Sequence, residues 1–111
     1  MTHGMNTIIV PVKDLARAKS LYATLLGVQP YIDEPYYVGF RVGGQELGLD
    51  PNGHTHGATG YWQVDDIRAS AQELVRAGAQ SVQDAKDVGG GRLTAVLKDV
   101  DGNIIGLLQN P

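Results

Sequence analysis

An α+β fold, made of two tandem βαβββ modules that form a curved, mixed, mostly antiparallel sheet, is predicted by three features of this 111-residue chain. First, Val12-Lys13-Asp14-Leu15, a helical pattern and Gly27 return as Val64-Asp65-Asp66-Ile67, a second helical pattern and Gly78. The displacement of roughly fifty residues is of the kind an internal duplication leaves. Second, Gly44-Gln45-Glu46-Leu47-Gly48-Leu49 returns as Gly102-Asn103-Ile104-Ile105-Gly106-Leu107, so both halves close on Gly-x-x-x-Gly-Leu. Third, a strand-like run, a helical run and three strand-like runs follow in the same order in each half. A half of about fifty residues would be marginal by itself, whereas the whole chain buries roughly two-thirds of its unfolded surface. We therefore expect one domain over 1–111, with module one at 6–50, a connector at 51–58 and module two at 59–110.

Taking the elements in order, residues 6–12 are mostly β-branched or extended-favouring and read as a strand. Asp14 is placed to cap a helix that runs to about Leu26 and stops at Gly27. Leu15, Ala18, Leu21, Tyr22, Leu25 and Leu26 recur at helical spacing and give that helix an apolar face. Strands are expected at about 29–33, 36–42 and 45–50, the last two joined by a Gly43-Gly44 hairpin turn. The connector has loop composition. In the second half a strand at 59–64 precedes a helix capped by Asp66 and reaching about Ala77, and strands are expected near 80–84, 92–98 and 103–109. The run Lys98-Asp99-Val100-Asp101-Gly102 is a turn by composition.

Strand alternation then assigns faces. Ile8, Val10 and Val12 belong under the first helix, as do Leu47 and Leu49, and Thr7, Ile9, Pro11, Glu46, Gly48 and Asp50 fall on the opposite, open face. In the second half Gly60, Trp62, Ile105 and Leu107 take the helix side, with Trp62 read as core, although a one-residue bulge would turn it into the cavity. Thr59, Tyr61, Gln63, Ile104, Gly106 and Leu108 take the open face.

Composition excludes several functions. The chain has no cysteine, which removes disulfides, thiolate catalysis and zinc-thiolate sites. A net charge of −3 with interspersed signs offers no footprint for nucleic acid or an anionic membrane. No apolar run approaches the roughly twenty residues of a membrane span, and the first residues lack a basic segment and an apolar stretch, so a soluble cytoplasmic protein is expected. Ser20, Ser70 and Ser81 have no histidine pattern to activate them, and the Gly89–Gly91 triplet lacks the lysine and helix start of a phosphate loop.

The polar candidates are few. His54 and His56 make a His-x-His pair, but in a glycine-rich connector the reading is a solvated loop. Glu46 and Asp50 share a strand face about 13 Å apart, too far for a close carboxylate pair, and Asp50 reads as a turn residue. Arg41 is opposite Glu46 if the hairpin loop has two residues, for a cross-strand ion pair or for orienting an anionic ligand. Tyr37, Tyr61 and Gln63 share the open face, where an aromatic wall suits a small planar molecule.

Two βαβββ modules with an Asp-Leu helix start, an Asp-Gly-Asn turn before the last strand and this length resemble the vicinal oxygen chelate superfamily, the glyoxalase, bleomycin resistance protein and extradiol dioxygenase type. The resemblance covers nearly the whole chain, although Val100 stands where the family usually has proline. It implies a homodimer, and it implies metal ligands at four slots: a histidine or similar group on each module's first strand and a glutamate on each last strand. Here those slots are Thr7, Thr59, Gly48 and Gly106. Threonine is a poor ligand and glycine offers none, so no metal and no other cofactor is expected. The resulting expectation is a metal-independent small-molecule-binding protein, with a VOC enzyme of lyase, isomerase or dioxygenase type and a non-catalytic protein-interaction subunit as alternatives. The expected cavity is lined by Thr7, Ile9, Tyr37, Arg41, Glu46, Gly48, Asp50, Thr59, Tyr61, Gln63, Ile104, Gly106 and Leu108. The two glycines are expected to enlarge the space above the sheet, so that Gly48→Leu would fill a void without disturbing the fold.

Overall fold

The structure, a computed structural model, describes residues 1–52 and 57–111. The His54 and His56 pair lies outside them. Two compact units are present, one of Asn6–Thr59 and one of Met1–Met5 with Gly60–Pro111.

In the Asn6–Thr59 unit, β1 (Thr2–Pro11, its later residues) is followed by α1 (Leu15–Leu26), β2 (Ile32–Glu34), β3 (Tyr37–Val42) and β4 (Gln45–Asp50). The strand order is β2-β3-β4-β1, with β4 antiparallel to β3 and parallel to β1. Asp14 caps α1 by accepting a hydrogen bond from the Arg17 N–H at 3.1 Å, and Gly27 ends it at φ +71°. Gly43 and Gly44 both have positive φ and close a two-residue hairpin that puts Arg41 opposite Glu46, the geometry a type I′ turn requires. The helix packs on β3 and β4 over a core of Val38, Phe40 and Leu49, to which it contributes Leu15, Ala18, Tyr22, Ala23 and Leu26.

Three expectations change here. Leu21 and Leu25 are 66% and 72% exposed, because the packed stripe of α1 is centred on Leu15, Tyr22 and Leu26 and leaves them on its flank. Ile8 is on the helix side but 40% exposed, since α1 covers β3 and β4. β2 begins at Ile32 and not near residue 29.

The second unit repeats the topology. β5 (Thr59–Val64), α2 (Ile67–Arg76), β6 (Gln80–Asp87), β7 (Leu93–Lys98) and β8 (Ile104–Gln109) follow in order, and the strands stand as β5-β8-β7-β6 with β8 parallel to β5. Asp66 caps α2 through the Ala69 N–H at 3.1 Å, and Gln109 Oε1 accepts from the Ile67 N–H at 2.8 Å. The core is Val64, Ile67, Ala95, Leu97 and Leu107. The first residues of the chain belong with this unit: Thr2 Oγ1 donates to the Gln63 carbonyl at 2.7 Å, and His3 Nε2 pairs with Asp65 Oδ1 at 2.8 Å.

Trp62 departs from its core reading. Its register partner Leu107 is buried in the helix-side core, yet Trp62 is 40% exposed. The physical reason is coverage: α2 lies over β6, β7 and β8, and of β5 only the Val64 end joins the core beneath it, which leaves Trp62 outside. β6 is also longer than expected and carries two register shifts against β7, the bulges that bend an edge strand.

Candidate functional site

On the open face of the Asn6–Thr59 unit, three rows of side chains cross the sheet. Arg41, Glu46 and Thr7 are in register in one row, Gly39, Gly48 and Ile9 in the next, and Asp50 and Pro11 in the third. The middle row has two glycines side by side, and tyrosines lie over them. A Cβ on Gly48 would collide with Tyr37 Oη and come within 2.6 Å of Tyr37 Cζ and 2.7 Å of Ile9 Cδ1. A Cβ on Gly39 would lie 3.1 Å from Tyr31 Cε1 and 3.2 Å from Tyr37 Cε2. The guanidinium of Arg41 stacks on the outer ring, its Cζ 3.9 Å from the Tyr31 centroid, a cation–π contact. Arg41, Tyr31 and Tyr37 thus form a layered group resting on a glycine floor, with the Tyr37 hydroxyl oxygen and one Glu46 carboxylate oxygen shielded from solvent. Asp50 serves the backbone, accepting from the Asn52 N–H at 2.8 Å.

The second unit uses the same device with a different strand. Tyr61 of β5 is in register with Gly106 of β8, and a Cβ there would sit 2.6 Å from Tyr61 Cδ2 and 2.7 Å from the Gly60 carbonyl oxygen. Tyr61 is 6% exposed and Leu108, in register with Gln63, is 3% exposed. Ile104 is half-buried at the start of β8.

The model of the Glyoxalase/Bleomycin resistance protein/Dioxygenase superfamily matches residues 4–107. The chain belongs to this superfamily. Its fold is similar to solved structures of a NAD-dependent benzaldehyde dehydrogenase from Legionella pneumophila (TM-score 0.77, 20% identity, 95% of this chain and 98% of that one) and of methylmalonyl-CoA epimerase from Mycobacterium tuberculosis (0.75, 19%, 99% and 89%). A superfamily member from Vibrio splendidus 12B01 is similar at TM-score 0.69 and 16% identity over 94% of this chain and 97% of that one. At these identities the likeness shows the fold. No curated protein matches the chain by sequence.

The four positions at which the family resemblance implies metal ligands are Thr7, Thr59, Gly48 and Gly106. Thr7 and Thr59 are 2% exposed. The Thr7 hydroxyl donates to Asn6 Oδ1 at 3.4 Å and the Thr59 hydroxyl to the Gly57 carbonyl at 3.3 Å. At the glutamate slots, the directions a side chain would take from Gly48 and Gly106 are occupied by Tyr37 and Tyr61. Two neutral hydroxyls engaged by amide oxygens, and two tyrosine rings, do not fit a divalent cation that needs several imidazole or carboxylate donors converging on one point. Among the described residues no three His, Asp or Glu side chains come together in such a way.

The glycines therefore do not leave the vacancy expected from sequence. A leucine at position 48 would have to displace Tyr37, which corrects the expectation that Gly48→Leu fills empty space. Sequence reasoning also missed Tyr31. Its signal was present in Gly39, which is in register with Gly48 on the open face and whose missing side chain leaves room for a ring.

Proposed function

We propose that this chain is a metal-independent small-molecule-binding member of the superfamily, taking a small, planar, partly aromatic compound, neutral or weakly anionic, against its open-face tyrosines. The observation that carries the reading is the pairing of tyrosine with glycine at both glutamate slots, Tyr37 over Gly48 and Tyr61 over Gly106. A carboxylate position that has become glycine and is then roofed by an aromatic ring exchanges cation chemistry for a stacking surface. Arg41 supplies direction for an acidic substituent, and Glu46 and Gln63 supply polar contacts at the margins of the two faces. In the Asn6–Thr59 unit Thr7, Ile9, Asp50 and Thr59 complete the lining proposed around Tyr37, and in the other unit Ile104 and Leu108 complete the one proposed around Tyr61.

The test combines metal and ligand measurements. Thermal melts with zinc, nickel, manganese or iron(II), each with and without chelator, are expected to coincide. A specific metal at a hundred times its Kd would instead stabilise by about 2.7 kcal/mol. Calorimetric titration of planar aromatic acids is expected to find binders whose affinity falls roughly two- to tenfold in Tyr37→Ala or Tyr61→Ala, the worth of an aromatic pair. A stoichiometric metal that raises the melting temperature, or binders indifferent to both substitutions, would refute the reading.

A further inference from the structure

The helix side of the Gly60–Pro111 unit holds a cavity of about 500 Å³ between α2 and strands β6 and β7. It is on the face of the sheet opposite Gly106 and Tyr61, since Ala95 and Leu97 of its floor belong to the helix-side core. Ala71 and Ala85 complete the apolar floor, and Arg68, Gln72 and Arg76 stand along its rim. These three recur every four residues and form one stripe on α2, with the arginines about 12 Å apart along the axis.

The internal repeat explains why the seam is open. Counted from the capping Asp14 and Asp66, Lys19 of α1 corresponds to Ala71 of α2. In the first unit Lys19 Nζ reaches Asp33 of β2 at 3.0 Å and closes the helix–strand seam. In the second, a methyl group stands where the lysine would, and Asp84 of β6 instead accepts a hydrogen bond from Ser81 Oγ at 2.9 Å. The two register shifts of β6 fall in the same stretch, between Ser81 and Lys86.

Charge selects the occupant. Two arginines and one aspartate line the groove, an excess of one positive charge. Asp84 is engaged by Ser81 and Arg76 by Glu73 at 3.2 Å, whereas Arg68 makes no hydrogen bond or ion pair among the described residues. A guanidinium at the mouth of an alanine-floored groove matches a carboxylate on an apolar tail, and the volume lies within the roughly 300–1,000 Å³ of small-molecule sites. We propose that the α2–β6 groove is a separate binding site for a small amphipathic carboxylate, with its head on Arg68 and its tail on Ala71, Ala85 and Ala95. It shares no residue with the open face, so either site can fail without the other.

Octanoate is the probe, titrated into the isotope-labelled full chain with octanol and octylamine in parallel, and amide resonances report the site. Saturable shifts are expected at residues 71–76 and 83–85, with octanoate binding more tightly than octanol or octylamine. Arg68→Gln, at an exposed position, is expected to weaken octanoate about tenfold, the loss of a charged hydrogen bond. Ala71→Lys, which installs the first unit's bridging lysine, is expected to abolish the shifts. No saturation at millimolar octanoate, octanol binding as tightly as the acid, unchanged affinity in Arg68→Gln, or shifts confined to the open face would each overturn the proposal. Should Ala71→Lys fail to fold, Arg68→Gln decides.

Discussion

Alanine at Gly106 and alanine at Gly48 should have different consequences, although sequence treats the two glycines as copies. At position 106 the new Cβ would lie 2.6 and 2.8 Å from Cδ2 and Cγ of Tyr61 and 2.7 Å from the Gly60 carbonyl oxygen, against a comfortable carbon contact of roughly 3.5–4.0 Å. The carbonyl belongs to the neighbouring strand and Cγ is the root of the ring, so relief requires β5 and β8 to separate. Overpacking of this kind costs about 1–3 kcal/mol. At position 48 the obstacles are the hydroxyl end of Tyr37 and Cδ1 of Ile9, which rotate away, and the chain recovers about 0.5–1 kcal/mol by losing a flexible strand glycine. Gly106→Ala is therefore expected to lose about 2 kcal/mol and Gly48→Ala less than about 1 kcal/mol. In urea unfolding, with a slope of about 2 kcal/mol per molar, the midpoint should fall by about 1 M for the first and by less than half of that for the second. Equal midpoints, or the larger loss at Gly48, would refute the assignment of backbone against side-chain obstruction.

Three further outcomes follow from the geometry. Asp14→Ala and Asp66→Ala each remove a helix cap and should lower stability by about 1 kcal/mol in denaturant titrations, and a loss within error at both would discredit the capping geometry. The Asp99 carboxyl is held below its ordinary value first by the Asn103 side chain and then by its backbone N–H. A depressed folded-state pKa contributes stability that is present above the unfolded value near 3.8 and is lost as pH falls through the lower folded value. Carboxyl titration by NMR should place Asp99 below 3.8 and move it upward in Asn103→Ala. Phe40, fully buried beneath α1, should cost about 3–5 kcal/mol when cut to alanine, measured by thermal or chemical unfolding.

Much of the architecture was legible in residues 12–27 and 64–78, because caps, glycine stops and helical spacing act over a few residues. Asp14 and Asp66 cap the helices as expected, the Gly43-Gly44 turn sets Arg41 against Glu46, and β4 and β5 begin and end at the expected residues. The absence of ligand chemistry at Thr7, Gly48, Thr59 and Gly106 was equally legible, since a side chain's donor atoms belong to its identity.

What alternation could not decide was coverage. It assigns Ile8 and Trp62 to the helix side correctly, but whether that side is dry depends on where a helix overlies the strand, and α1 and α2 leave the Ile8 stretch of β1 and the Trp62 stretch of β5 exposed while Val10 and Val64 reach the cores. Helical spacing likewise puts Leu21 and Leu25 on the apolar face of α1, whereas the packed stripe is fixed by the sheet beneath it. The tyrosines over Gly39, Gly48 and Gly106 come from β3, β5 and the turn before β2, and the groove under Arg68 comes from a missing lysine and a bulged edge strand. Both depend on side chains brought together from separate strands and helices, a matter of three-dimensional packing that no local run of sequence records.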